Sequence, residues 1–254
     1  MSTPEATKAT IRFEYGKIVA LTATHGLNWQ RGHICKPIFD PIAAAYPEKA
    51  GYLDAANLGL GCGFPVEQAR VQAGETVLDL GCAAGIDSFI ARAAVGAGGQ
   101  VIGLDITPEL VALATQIAQN QDFANVRFLC ADIENLPVDD ESVDVIISNG
   151  VFSLLSSRLR VFQEMHRVLQ PGGRFCVCDL VRKEDLPDTL QAEVLAFTGC
   201  LNGIFHVQEY LNDLQQAGFR QVAIRSERSV PVPIAGNDAY QGLYAVALVG
   251  SKAA

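Results

Sequence analysis

The 254-residue chain is 49% hydrophobic and 19% charged, a globular composition that excludes a disordered, collagen-like or coiled-coil protein. Its 19 basic and 28 acidic side chains give a net charge of −9 with no Lys/Arg cluster, which sets general repulsion against nucleic acid. Mean hydropathy is +0.20, yet no run approaches the roughly 18 uncharged residues of a membrane helix and no basic-then-apolar leader opens the chain, so it reads as a cytoplasmic protein without a membrane partner, taken as a monomer.

Residues 1–70 mix short helical patterns with turn signals at His25-Gly26, Gly32, Pro37, Pro41 and Pro47, then cross through Gly59-Leu60-Gly61-Cys62-Gly63-Phe64-Pro65. This predicts an N-terminal helical cap. From Glu75 short apolar runs alternate with helical periods: 76–80, 101–105, 126–129, 143–147 and 173–178 read as strands, with helices near 86–95, 108–120 and 157–169. Thr107 as N-cap, Pro108 at the first helical position and Glu109 after it mark the start of the second of these helices. A helical stretch over 184–202 and a helix from Val207 to Ala217 follow, then two β-like runs, 221–226 and 244–250, which lack an intervening helix and so pair antiparallel at one edge. The expectation is an α/β fold with a sheet covered on both faces. It divides into a cap over 1–70, a core over 71–182, and substrate-side helices with a closing hairpin over 183–254.

Asp79-Leu80-Gly81-Cys82-Ala83-Ala84-Gly85 sits where the first strand turns into the first helix, and its small residues let backbone approach a ligand. A dinucleotide site would want G-x-G-x-x-G, but Ala83 and Ile86 occupy two of those glycine positions. Asp105 ends the second strand, placed to accept hydrogen bonds from two ribose hydroxyls, and Asp132-Ile133-Glu134 follows the third.

In order and spacing, V-L-D-L-G-C-A-A-G, V-I-G-L-D-I-T, A-D-I-E-N-L-P, D-V-I-I-S-N and R-V-L-Q-P-G-G-R resemble the class I S-adenosylmethionine-dependent methyltransferases over about residues 70–182. The resemblance implies a Rossmann-like, seven-stranded, mostly parallel sheet with an antiparallel last strand, and S-adenosylmethionine as cofactor. It places Asp79, Gly81 and Gly85 at the methionine-side pocket, with Cys82 as a serine substitute in that loop. Asp105, Ile106 and Thr107 fall at the ribose, Ile133 and Glu134 at the adenine, and Asn149 at the start of the active-site loop.

Tyr15-Gly16-Lys17, Cys35, the 57–65 crossing, Asp144–Asn149, Glu184-Asp185-Leu186-Pro187 and Thr198-Gly199-Cys200-Leu201-Asn202-Gly203 extend the likeness to the arsenite methyltransferase family. In that family three cysteines hold trivalent arsenic. Cys62 and Cys200 match the first and third, while Gly150 stands at the second. A soft trivalent centre prefers about three thiolates, so the departure leaves three ways to complete the site: Cys35 or Cys82, an external thiol such as glutathione, or an already monomethylated arsenical that needs only two protein thiols, the simplest of the three.

The seven cysteines are odd in number in a chain without a secretory signal, so a disulfide framework is not expected. Cys130, Cys176 and Cys178, on predicted core strands, read as core packing, the last two pointing the same way. A second reading has a small organic acceptor methylated at oxygen, nitrogen or carbon, which wants a base; His206 is the first candidate, ahead of His25 and His33, with His166 structural. A cofactor-binding sensor without turnover finds no partner surface in the sequence.

Overall fold

The computed structural model describes residues 3–25, 40–155, 157–187, 204–232 and 239–254. Cys35, His33 and Cys200 lie outside them, as does the side chain of His25. The N-terminal part holds helix α1 (Pro4–His25), α2 (Asp40–Ala45), two 3₁₀ turns at Tyr46–Glu48 and Asp54–Ala56, and the single-turn α3 (Pro65–Gln68). Of the helical patterns expected in this part, α1 is one unbroken helix of 22 residues that ends at the first turn signal, His25. Gly16 does not interrupt it, because α1 packs on a neighbouring helix there and a Cβ on Gly16 would stand 3.2 Å from a Glu109 carboxylate oxygen.

The core alternates β1 (Thr76–Leu80), α4 (Ile86–Val95), β2 (Gln100–Asp105), α5 (Pro108–Asn120), β3 (Val126–Cys130), β4 (Val143–Asn149), α6 (Arg158–Val168) and β5 (Leu169–Arg182), and closes with α7 (Val207–Gln216), β6 (Arg220–Ser229) and β7 (Leu243–Ser251). They form one seven-stranded sheet in the order β3-β2-β1-β4-β5-β7-β6. Strands β1 to β5 are mutually parallel, whereas β7 runs antiparallel to both β5 and β6. The fold is the expected seven-stranded, mostly parallel class I methyltransferase architecture.

Successive residues in the central strands bury into opposite layers, which is why those strands read as continuous apolar runs. Val77, Val101, Val145 and Ile147 pack with Phe89, Leu110 and Ala114 of α4 and α5, while Leu78, Leu80, Ile102 and Ile146 pack with Phe162, Met165 and Tyr210 of α6 and α7.

Two expectations need correction. Residues 184–187 are not helical: Arg182 binds both the Glu184 carbonyl and the Asp185 carboxylate, and Pro187 disfavours helix in the residue before it. The remainder of that stretch, 188–202, lies outside the described residues. Cys130 is exposed rather than packed in the core, because β3 is the edge strand and residue 130 is its last. Cys176 and Cys178 are buried with their sulfurs 4.0 Å apart.

The ring of Phe128 on β3 lies over two glycines. A Cβ on Gly103 would come 2.6 Å from that ring and one on Gly85 would come 2.8 Å from it, so the same aromatic face seats β2 and the end of the 81–85 loop. Gly103→Ala is therefore expected to cost about 1–3 kcal/mol of stability by overpacking, and Phe128→Leu in the same chain should return part of it. Urea unfolding of the single and double variants reads both.

Candidate active site

From β1 the chain steps outward through β2 and β3 on one side of the sheet, and from β4 through β5 on the other. The loops leaving the carboxyl ends of β1 and β4 therefore diverge and open a crevice, the usual ligand position in such sheets. On its β1 side the crevice is built by the 81–85 loop. Gly81, at φ 74°, takes the left-handed conformation that glycine tolerates best. The N–H groups of Gly81 and Cys82 both donate to the Leu104 carbonyl, at 2.8 and 2.9 Å. Asp105 accepts from Ala83 N–H and Thr107 N–H at 2.9 Å each, so its carboxylate ties the loop after β1 to the loop after β2.

One cavity brings together most of the residues singled out as cofactor ligands: Gly81, Asp105, Ile106, Thr107, Ile133 and Glu134 line it, with Asn149 and Gly150 at its other end. Asp79, Gly81, Cys82 and Asn149 line a smaller adjoining cavity with Asp87 and Tyr46. Two of the expected residues act through backbone rather than side chain. Gly85 caps the start of α4 at φ 90°, and the thiol of Cys82 is turned inward toward Gly103.

The site also contains residues that sequence reasoning missed. Asp87 lies in the first turn of α4, fully buried, and accepts hydrogen bonds from the Tyr46 hydroxyl at 2.9 Å and Asn149 Nδ2 at 2.8 Å. The Asn149 amide nitrogen also reaches the Tyr46 oxygen and the Gly63 carbonyl, at 2.9 and 3.0 Å. Because a carboxylate only accepts, Asp87 sets which way the amide faces. Asn149 Oδ1 then accepts from Cys62 N–H at 2.8 Å and Gly63 N–H at 3.2 Å, with the Cys62 thiol 3.6 Å away. Cys62 is thereby fixed beside Gly150, and a Cβ on residue 150 would point within 4.0 Å of its sulfur. The one signal available in the sequence was an aspartate in the first turn of a mostly apolar helix.

The apolar wall formed by Val151, Leu154 and Leu155 is held from behind. Buried Asp179 accepts from Ser153 N–H at 3.1 Å and from the Tyr210 hydroxyl at 2.7 Å, binding that loop to β5 and α7. His206 is the N-cap of α7: its Nδ1 accepts from Gln208 N–H and its Nε2 meets the Lys183 carbonyl. Both ring nitrogens are engaged away from the cavity. His166 packs edge-on to Phe219.

The electrostatics fit a cationic ligand. The smaller cavity is lined by Asp79 and Asp87, with no Lys, Arg or His among the described residues around it. Burial pushes Asp79 up to about 8, with the nearby charge of Asp87 adding to it, while hydrogen bonds from Ser88 pull the other way. Burial raises Asp87 to about 6 against the pull of Asn149 and Tyr46, and burial raises Asp105 too. At the far rim Lys8 Nζ sits 2.7 Å from Asp132 and 2.7 Å from Glu134. Burial opposes its charge, but the two carboxylates outweigh that and hold it above its ordinary value. Three buried acidic side chains around small-residue loops suit a ligand carrying an ammonium and a sulfonium, as S-adenosylmethionine does, whose charge would draw Asp79 into its ionised form.

A carboxyl whose folded pKa lies above its unfolded value of about 3.9 binds more protons folded than unfolded across that interval, so its contribution to stability falls as pH rises. Asp79 and Asp87 should therefore give the ligand-free protein a thermal midpoint that declines from about pH 4 upward, Asp87 contributing until about pH 6 and Asp79 until about pH 8. Asp79→Asn should show a flatter decline than the parent when both are melted at constant ionic strength.

Comparison with known proteins agrees with this geometry. Residues 72–218 match a family model described as a methyltransferase domain. The chain is 43% identical over 193 residues to an arsenite methyltransferase of Halobacterium salinarum, covering 73% of this chain and 49% of that protein. An arsenite methyltransferase of Aquipseudomonas alcaligenes is 32% identical over 179 residues, covering 68% and 51%. The chain thus spans about half the length of these curated relatives. Among solved structures, an arsenic(III) S-adenosylmethionine methyltransferase from Chlamydomonas reinhardtii superimposes with a TM-score of 0.67 at 26% identity, covering 86% of this chain and 74% of that one. The Bacillus subtilis YcgJ protein, at 21% identity and a TM-score of 0.63, covers 74% and 96% and shares the fold. With its family model matched over more than half its length, the chain belongs to the methyltransferase domain family, in the class I form that uses S-adenosylmethionine.

Proposed function

We propose that this protein methylates a trivalent arsenical held by the thiolates of Cys62 and Cys200. The observation that carries the reading is the placement of Cys62, a buried residue whose thiol lies 3.6 Å from Asn149 Oδ1 and 4.0 Å from where a Cβ on Gly150 would stand, directly behind two residues that line the cavity. The likeness to arsenite methyltransferases supports the same substrate class. S-adenosylmethionine, when bound, supplies an electrophilic methyl group on a sulfonium; Asp79, Gly81, Asp105, Ile106, Ile133 and Glu134 would hold it.

The chain's own contribution is placement and exclusion of water. Trivalent arsenic attacks through a soft lone pair, so no proton has to be removed, and alignment in a dry pocket is the main requirement. Leu60, Val151, Leu154 and Leu155 provide apolar walls. Gly150 presents no thiol, and two thiolates plus one carbon substituent complete the preferred three-coordination of arsenic. The proposed substrate is therefore a monomethylated trivalent arsenical, delivered and kept reduced by a small thiol. An organic acceptor needing a base gains no support here, since His206 is committed to the α7 cap.

Reduced protein incubated with S-adenosylmethionine and glutathione should methylate monomethylarsonous acid faster than arsenite, as read by chromatography with arsenic detection. Cys62→Ser and Cys200→Ser should each lower kcat/KM more than about tenfold. Gly150→Cys, which places a thiol toward Cys62, should shift the preference toward arsenite. Equal turnover of both arsenicals by the serine variants would refute the thiolate site.

A further inference from the structure

Helix α1 precedes the region matched by the family model, yet it forms one side of the cavity that holds Gly81, Asp105 and Glu134. Two adjacent stripes on it do this at helical spacing. Thr7, Ile11 and Tyr15 line the cavity. One residue further along each turn, Lys8, Arg12 and Gly16 seat the helix on the rim. Lys8 bridges Asp132 and Glu134, the Arg12 guanidinium donates to the Ile106 carbonyl at 3.3 Å, and the Cβ-less face of Gly16 meets Glu109.

The contact of Lys8 falls on the two acidic residues after β3. Asp132 Oδ1 accepts from Glu134 N–H at 2.9 Å, closing a tight turn around Ile133, and its other oxygen meets Lys8. Lys8 and Glu134 are both largely withdrawn from solvent, their side chains 13% and 17% exposed. Without the ammonium, two carboxylates that share it would face each other and the nearby Asp105 in a half-dry pocket, and their repulsion would open the turn. Lys8 is the one cation among the described residues that line this cavity.

We propose that α1 is part of the cofactor site and that Lys8 is a positioning residue, holding the Asp132-Ile133-Glu134 turn in the shape that receives the adenosine portion of S-adenosylmethionine. This rests on the reading above that those residues border the adenine. Because Lys8 acts at the nucleoside end, its effect is blind to the sulfur: S-adenosylmethionine, S-adenosylhomocysteine and adenosine depend on it equally. The apolar stripe acts separately, by shape.

Calorimetric titration of the intact protein with each of the three ligands tests this. Lys8→Met should raise all three Kd values by a similar factor of about tenfold, and Lys8→Arg should restore most of the loss. Added salt should weaken binding to the parent more than to Lys8→Met, since only the parent carries the ion pair. In turnover Lys8→Met should raise KM for the cofactor and leave kcat nearly unchanged. Ile11→Trp, which fills the cavity from α1 without touching the ion pair, should abolish adenosine binding with an unchanged thermal midpoint. Unchanged Kd values in Lys8→Met and Ile11→Trp, or a fallen midpoint in Lys8→Met with unchanged affinities, would overturn the proposal while leaving the cofactor assignment intact. A parent protein that binds none of the three ligands would instead remove the cofactor reading and this inference with it.

Discussion

The carboxamide of Asn149 is the point on which the site depends. It closes β4, and its two ends hold segments far apart in the chain: Cys62 and Gly63 of the crossing loop, Asp87 of α4, and Tyr46 of the first 3₁₀ turn. A residue with only donors or only acceptors could not join an acceptor-only carboxylate on one side to two backbone N–H groups on the other. Through this one group the thiol position is tied to the cofactor loop, since Asp87 lies just beyond Gly85 in the turn that follows it. Leu60 and Gly61, between the clamp and the cavity, inherit their place from the same bonds.

The second constraint is charge. Asp79, Asp87, Asp105 and Asp179 are all buried, and the first three surround the cofactor crevice. Hydrogen bonds from Ser88, Tyr46, Asn149, Ala83 and Thr107 satisfy oxygen lone pairs without neutralising a charge, and burial leaves Asp79 protonated at neutral pH when no cation is near. Such groups are destabilising alone, and a cation that binds only the folded state reverses that. The interior is therefore organised around a positive ligand. At the rim the polarity is reversed: Lys8 serves two carboxylates, so the nucleoside end is nearly balanced where the methionine end is not.

The alternating core was legible because period and spacing are local properties: Thr107-Pro108-Glu109 marked a helix start, and five apolar runs marked strands covered on both faces. The ligand loops were legible for the same reason, since Gly81 follows β1 directly, Asp105 ends β2 and Glu134 lies four residues past β3. Asp87 and Tyr46 were not, because their roles come from hydrogen bonds across 41 and 62 residues of sequence. The wall formed by α1 was hidden differently: Thr7, Ile11 and Tyr15 mix polar and apolar types, so the stripe has no amphipathic signature although its spacing is regular. Cys130 was misread because strand apolarity does not reveal which strand lies at the edge.

Gly150 is where these constraints meet. Its φ of 75° is left-handed, a conformation that costs an L-residue roughly 1–2 kcal/mol. A Cβ there would also stand 3.1 Å from the Leu60 carbonyl, closer than most such contacts. Its N–H donates to the Cys178 carbonyl at 2.8 Å, which holds the turn against β5. The absence of a side chain at 150 is thus coupled to a backbone shape, in the turn that leads into the cavity-lining Val151, Leu154 and Leu155. Any side chain at 150 has to be accommodated against the same Leu60 carbonyl and toward the same sulfur. On the proposed reading, the residue that leaves one soft ligand out also opens the turn into the apolar stretch Val151, Leu154 and Leu155, and a pair of thiolates in such surroundings would favour an arsenical that already carries carbon.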